Sequence, residues 1–251
     1  VLRDAFSQAR ADSDLLLPCV NLSQLFPEPA AAFVQGRGGS VRTNSRVTGL
    51  TRDKDEWIVT VGDETHRFSH VVCATPPQRS AELIEPLPGM RPVAELIRAL
   101  HHQPIYTVYL QYPANTKLSA PMLGLSRGLG QWVFDRGQLG GPAGLLAVVI
   151  SAGGAHEALE HAPLAQEITE QLAATLHLAT VPLWHQVIAE KRATFSCTPA
   201  LARPACPTPV VGLYLAGDYV AGDDVTDSYP GTIEGAVRSG VQCARLILES
   251  S

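Results

Sequence analysis

Apolar positions fall into two rhythms near the end of this chain. Val210 to Ala216 reads Val-Val-Gly-Leu-Tyr-Leu-Ala, a short run without alternation that closes on Gly217-Asp218. A run of that length and termination predicts a strand buried on both faces. From Ile233 the period changes. Apolar or small residues at 233, 236, 237, 240, 241, 244, 247 and 248 make one helical stripe, with Glu234, Arg238, Gln242, Arg245 and Glu249 off it. Glu234 precedes Arg238 by four residues, the favourable order for a helix pair. Pro230-Gly231 holds the entry, and Ser228, Gly231 and Thr232 are the N-cap candidates.

Earlier segments alternate between the same two rhythms. Leu22, Leu25, Phe26, Ala30, Phe33 and Val34 predict a helix that starts at Asn21 and closes at the glycines 36–39, with Pro27 and Pro29 placed to kink or split it. Ser40–Thr43 and Arg46–Leu50 read as short strands. Glu56–Val61, a turn at Gly62-Asp63, and Thr65–Phe68 predict a meander that feeds a buried strand at His70–Cys73, ending in Ala74-Thr75-Pro76-Pro77. Residues 80–100 are helical in period but broken by Pro86, Pro88 and Pro92. Strands follow at 105–110, 131–136, 145–151 and 187–195, with a helix from about Pro163 to His177. This order predicts an α/β chain of mixed, α+β character. One half, 21–80 with 205–251, is split around an inserted half of antiparallel sheet and helices at 81–204. Residues 1–20 read as a remnant of the inserted half.

Composition narrows the class. A hydrophobic content of 45% against 17% charged residues marks a globular chain with material for a core. The net charge of −5, with no basic patch, argues against a nucleic-acid partner. The most apolar run, Gly144 to Ala152, is too short to span a bilayer. The opening Val1-Leu2-Arg3-Asp4 resembles neither a signal peptide nor, lacking Met, a natural start. Five scattered cysteines without a C-x-x-C read as reduced thiols. His156 and His161 are five apart and His101-His102 adjacent, so no metal spacing is present and no metal is expected.

Strand, Gly-Asp, loop, helix start: this succession sets a carboxylate and a row of free N–H groups at the carboxyl end of a sheet, where ligands bind in open α/β folds. A helix N-terminus suits a diphosphate or an anionic flavin. Ionised Asp218 only accepts hydrogen bonds, which suits sugar or ribityl hydroxyls. An ordinary strand–loop–helix shares the same spacing. The dinucleotide fingerprint G-x-G-x-x-G is absent from the 251 residues.

The blocks L-A-G-D-Y at 215–219 and Y-P-G-T-I-E-G-A-V-R-S-G at 229–240 resemble the C-terminal FAD-binding signature of the amine oxidase and phytoene desaturase superfamily. V-V-C-A-T-P-P at 71–77 resembles a second block of that superfamily, and the helix, Gly-Gly, strand succession leading to Val47 a third. The resemblance implies FAD as cofactor. Asp218, following Gly217, would meet the flavin chain near its ribityl–phosphate end. Gly231, Thr232 and Ile233 would bring the helix start to the N1–C2=O edge of the ring. The small turn at Ala74, Thr75 and Pro76 would let backbone approach the dinucleotide, and the backbone near Val47 would meet the adenine. The loop at 220–227 is longer and more acidic than the superfamily's usual form.

Leu15-Leu16-Leu17-Pro18, Leu22-Ser23-Gln24-Leu25-Phe26-Pro27, Trp132-Val133-Phe134-Asp135-Arg136 and Leu146–Ser151 further resemble squalene-associated FAD-dependent desaturases, the hydroxysqualene dehydroxylases of hopanoid synthesis. That branch implies reductive removal of an allylic hydroxyl, in an apolar cavity to which the strands at 105–110, 131–134 and 145–150 would contribute. The expected partners are an apolar isoprenoid substrate, a membrane surface touched peripherally, and a second copy of the chain. The expected location is the cytoplasm, at most peripheral to the inner membrane. The catalytic residue is unidentified. Asp135, Asp223, Asp224 and Asp227 read either as candidate acids, because a carboxyl in an apolar cavity keeps its proton, or as solvated loop carboxylates. Lys191 reads either as a group near the flavin or as a surface charge. A carotenoid or phytoene-type desaturase, or another amine-oxidase-like flavoenzyme, would share every FAD block. The alternative of another class is a non-catalytic, truncated module that self-associates.

With the G-x-G-x-x-G unit absent, the chain reads as the C-terminal portion of such a flavoenzyme. The diphosphate-gripping contacts are then missing. Purified alone, it is expected to be colourless or sub-stoichiometric in FAD, and to self-associate through the surface left uncovered. Absorbance and light scattering on one sample check this; a yellow monomer with one tightly held FAD would overturn it.

Overall fold

The structure is a computed structural model and describes residues 6, 9–178, 181–222 and 229–250. In chain order its main elements are α1 (Leu22–Leu25), α2 (Pro27–Gly36), β1 (Val47–Asp53), β2 (Glu56–Val61), β3 (Glu64–Phe68), β4 (Val71–Cys73), α3 (Pro77–Ile84), α4 (Arg91–Arg98), β5 (His102–Gln111), β6 (Met122–Gly124), β7 (Trp132–Asp135), β8 (Leu145–Ser151), α5 (His161–Leu176), β9 (Trp184–Phe195), β10 (Leu213–Leu215) and α6 (Ile233–Ser250). They form two compact units, one of residues 1–41 and 103–193, the other of 42–102 and 194–251. No described helix is long and apolar enough to cross a membrane.

Proline and short polar turns decide the local structure of the second unit. β1, β2 and β3 make the expected antiparallel meander, in register from Asp53↔Glu56 to Leu50↔Val59 and from Val61↔Glu64 to Trp57↔Phe68. Gly62 turns it with a φ of 59°, the left-handed conformation that a two-residue hairpin needs. Pro86 and Pro88 separate α3 from α4, whereas Pro92 lies in the first turn of α4, where its missing N–H costs nothing. The expected strand at Ser40–Thr43 does not form. Arg42 instead reaches the meander through its side chain, with Nη2 3.0 Å from Glu64 Oε2 and Nη1 2.8 Å from the His66 ring. Trp57, Ile84, Met90 and Ile97 are fully enclosed in a core that also holds Leu213, Leu215, Cys206 and Cys243.

The same unit pairs β4 with β10 in parallel, Leu213↔Val71 to Leu215↔Cys73. All three β10 residues are buried, as the unbroken apolar run predicts. α6 departs from expectation. It turns Ser239 and Cys243 inward and leaves Ile233, Val237, Val241 and Leu248 between 38% and 78% exposed. A sheet two strands wide covers a narrow strip of helix, and small residues let α6 come close: Ser239 and Cys243 both bond to backbone beside β10. Five of the eight predicted stripe positions (233, 237, 241, 244 and 248) are therefore left facing outward.

In the first unit, Pro27 splits the predicted helix into α1 and α2 as expected. Five strands run in the order β6-β7-β8-β5-β9. Alternation puts Tyr106, Val108 and Leu110 of β5, with Leu146, Val148 and Ile150 of β8, on one face, packed with Leu164, Ile168 and Leu172 of α5. On the other face Ile105, Thr107, Tyr109, Phe134 and Val149 are half-buried and Trp132 is exposed. Replacing Ile168, which has no solvent exposure, with Ala is expected to cost about 2–5 kcal/mol, as the side chain is lost and a cavity is left behind. Urea unfolding measures it; a loss well below 1 kcal/mol would show that α5 does not carry this core.

Candidate functional site

Parallel pairing puts two carboxyl ends side by side. Beyond Leu215↔Cys73 the Ala216 N–H donates to the Cys73 carbonyl (3.1 Å), so Ala74-Thr75-Pro76 and Gly217-Asp218 leave the sheet together. Gly217 has a φ of 148°, and a Cβ there would sit 2.6 Å from the Tyr219 ring; only glycine serves. The Gly217 N–H donates to Ser239 Oγ of α6 (2.8 Å), and Ser239 in turn donates to the Ala236 carbonyl (2.7 Å).

Tyr219 locks the other side. Its ring is buried, and its hydroxyl donates to Ser80 Oγ of α3 (2.8 Å). Ser80 contacts both the hydroxyl (2.8 Å) and the carbonyl (3.1 Å) of Thr75. The Ala74–Thr75 turn and the Gly217–Asp218 turn thus share one hydroxyl network, buried at Tyr219 and Ser80. Burial drives the Tyr219 phenol far above its ordinary pKa, so it stays a donor at any relevant pH.

Thr232 is the N-cap of α6: its Oγ1 accepts from the Gly235 N–H (3.1 Å) and its carbonyl from the Ala236 N–H (3.1 Å). Of the other cap candidates, Gly231 precedes it and Ser228 lies outside the described residues. The N–H groups of Ile233 and Glu234 come before the first helical bond and so have no helical partner. A Cβ on Gly231 would strike Thr194 Oγ1 and lie 3.2 Å from Asp218 Oδ2. The helix entry therefore rests against the Asp218 carboxylate, and Gly231, Thr232 and Ile233 join Asp218 in one place. Val47 stands apart, at the start of β1 in a different sheet.

Asp218 is half-buried. Burial is the largest influence on its carboxyl and pushes the pKa up; the N–H groups of Tyr219 and of Asp218 itself, then the charges of His102 and Arg203, pull against it. Arg203 donates through Nη1 to the Asp218 carbonyl (3.3 Å) and the Tyr229 carbonyl (2.9 Å), tying the end of the Gly217-Asp218 turn to the approach to α6. Burial lowers its own pKa. Sequence reasoning passed over Arg203 because it sits in the aperiodic stretch between Pro199 and Pro209. Its only signal was a lone cation among four prolines. Beside α6 a cavity of about 180 Å³ is lined by Val220, Tyr229, Val237, Gln242 and two arginines, Arg238 and Arg245.

Asp135 is removed as a candidate acid. It is 1% exposed and accepts from the Leu118 N–H (3.0 Å), the Gln138 N–H (3.3 Å) and Gln138 Nε2 (2.8 Å). Burial pushes its pKa up, but these bonds outweigh it and hold the carboxyl below the ordinary range. It is an ionised cap for the turn at Arg136–Leu139, with no proton to give. Asp223, Asp224 and Asp227 lie outside the described residues. Lys191 is an exposed charge on β9, and no group of metal-ligating side chains occurs among the described residues.

The residues at the paired strand ends fit a flavin nucleotide: glycine and alanine where backbone must come close, an acceptor-only carboxylate, and first-turn N–H groups. Asp218's raised pKa has a consequence of definite sign. Its contribution to stability is full below the unfolded pKa of about 3.9 and is lost as pH rises through the higher folded value, so at neutral pH the ionised form is a cost. Asp218→Asn is therefore expected to raise the melting temperature of the flavin-free chain at pH 7, with the gap closing toward pH 4. A lower melting temperature at pH 7 would reverse this assignment.

Comparison with known proteins gives the family. The profile of the family described as flavin containing amine oxidoreductase matches residues 19–248. A hydroxysqualene dehydroxylase of Rhodopseudomonas palustris is 33% identical, over 90% of this chain and 51% of its own length. One from Sinorhizobium fredii is 28% identical, over 92% and 52%. The chain thus spans about half the length of these relatives. Among solved structures, a redesigned putrescine oxidase superposes with a TM-score of 0.65 at 18% identity, covering 90% of this chain and 53% of that one. Cyclohexylamine oxidase from Brevibacterium oxydans gives 0.60 at 19%, covering 82% and 48%. Those likenesses show the fold, and the profile match shows the family: this chain belongs to the flavin-containing amine oxidoreductases.

Proposed function

We propose that the whole protein of which this chain is part binds FAD and reductively removes the hydroxyl of hydroxysqualene. The observation that carries the flavin part is the junction of Gly217-Asp218, the Ala74–Thr75 turn and the α6 entry, held by the Tyr219–Ser80–Thr75 hydroxyls and by Ser239. In this reading Asp218 accepts from the hydroxyls of the flavin chain. The N–H groups of Ile233 and Glu234 favour negative charge on the ring by about 0.3–1 kcal/mol.

The substrate part is supported by the name that both relatives carry and by the composition of the five-stranded sheet. Its face away from α5 offers Ile105, Tyr109, Phe134, Val149 and Trp132, an extended apolar surface interrupted by Thr107 and bordered by Gln103, Gln111 and Ser151. Such a surface suits a long isoprenoid chain and keeps water from it. When bound, reduced FAD supplies the hydride for a reductive dehydroxylation. Peripheral contact with a membrane and association with a second copy belong to the same proposal.

The test is anaerobic incubation of the full-length protein with reduced FAD and hydroxysqualene, followed by gas chromatography–mass spectrometry. Squalene is the expected product. Consumption of phytoene or of an amine in its place would move the protein to another branch of the family. In the same protein Asp218→Ala is expected to weaken FAD retention by about 1–3 kcal/mol, because cofactor hydroxyls lose their acceptor. Unchanged affinity would sink the role given to Asp218.

A further inference from the structure

Two of the five cysteines meet inside the second unit. Cys206, in the coil that leads to β10, and Cys243, on α6, are 0% and 1% exposed, and their sulfur atoms are 2.7 Å apart. Neither is part of a disulfide. The two sulfurs are in direct contact. Hydrogen bonds fix them there. The Cys243 thiol donates to the Leu215 carbonyl (3.2 Å), and the Leu215 N–H donates to the Cys206 carbonyl (2.9 Å). Cys73, by contrast, is engaged with Thr75 and Ser80, while Cys19 and Cys197 are exposed and scattered.

We infer that Cys206 and Cys243 are a dithiol that closes reversibly to a disulfide, stapling α6 to the coil before β10. Hydrogen peroxide is the oxidant that we assign. The Cys243 thiolate attacks one peroxide oxygen, the O–O bond breaks, water leaves after protonation, and Cys243 becomes a sulfenic acid. The Cys206 sulfur then attacks the Cys243 sulfur, a second water leaves, and the S–S bond forms. Two thiols lose two electrons and two protons, and one peroxide becomes two waters. Cys243 is the attacking group because the hydrogen bond from Cys206 holds its pKa below the ordinary thiol range, against the opposing effect of burial. Access needs only a local lifting of α6, whose outer face is already open at Val241 and Leu248.

The link would close a segment of chain 37 residues apart at its ends. That segment contains both Gly217-Asp218 and Gly231-Thr232-Ile233, so oxidation would fix the cofactor-facing turns to one another. This effect on the cofactor rests on the flavin reading; the link itself does not.

The experiment uses the chain carrying Cys19→Ser and Cys197→Ser, treated with hydrogen peroxide, then denatured, alkylated and mapped by mass spectrometry without reduction. A peptide pair joined through 206 and 243, lighter by about 2 Da than its two halves, is expected. The melting temperature should rise by about 5–10 °C and fall back with dithiothreitol. Adding Cys206→Ser should abolish the link and leave Cys243 as a sulfenic acid that dimedone traps. Alkyl label on both cysteines after peroxide treatment, or sulfinic acid at Cys243 while Cys206 is present, would overturn the inference. The readout needs no flavin, so its failure is distinct from failure of the cofactor assignment.

Discussion

Everything at the site hangs on a parallel ladder three residues long. Val71-Val72-Cys73 and Leu213-Tyr214-Leu215 run the same way, so both chains leave the sheet at the same end. Antiparallel pairing of the same residues would send Asp218 to the opposite edge from Ala74. The ladder is short, and side chains past its end do the rest of the aligning. Tyr219 reaches across to Ser80, Ser80 to Thr75, and Ser239 to the Gly217 N–H. Tyr219, Ser80 and Ser239 carry neutral, buried, partnered hydroxyls, the kind of group that specifies one arrangement because leaving it unpaired is costly.

Much of this was legible in the order of residues. An unbroken apolar run ending in Gly-Asp has few structures open to it, and β10 is buried as that run requires. Proline marked the breaks between α1 and α2 and between α3 and α4. What escaped were features set by a neighbour's width or by a side chain's partner. The α6 stripe looked eight residues broad because apolarity was counted around the helix. The width of the β10–β4 sheet decides which of them is covered, and Ser239 and Cys243 were selected over Val237 and Val241. Asp135 looked like an acid in an apolar strand, but Gln138 and Leu118 supply it with donors that no spacing rule reveals. Arg203 has no periodicity to betray it.

The two units use their sheets differently. In one, a five-stranded antiparallel sheet carries α5 on one face and leaves a half-exposed apolar face on the other. In the other, backbone ends and glycines are presented instead of side chains. A surface that binds by shape and apolarity tolerates exchange of one hydrophobic residue for another. A site built from close backbone approach tolerates almost none at Gly217 or Gly231. Variation among homologues should therefore fall very unequally on the two surfaces.

The ladder's position in the chain also sets when it can form. Val71 and Leu213 are about 140 residues apart, whereas the β1–β2–β3 meander and the β6–β7–β8 strands close over short loops. Loop-closure entropy disfavours the distant pair until the intervening chain has compacted, so local hairpins and α5 come first and the β4–β10 pairing late. A contact made late in folding changes mainly the rate at which the protein comes apart. The turns at Ala74–Thr75 and Gly217–Asp218 are then the part of this molecule whose lifetime, more than its speed of assembly, a bound partner would tune.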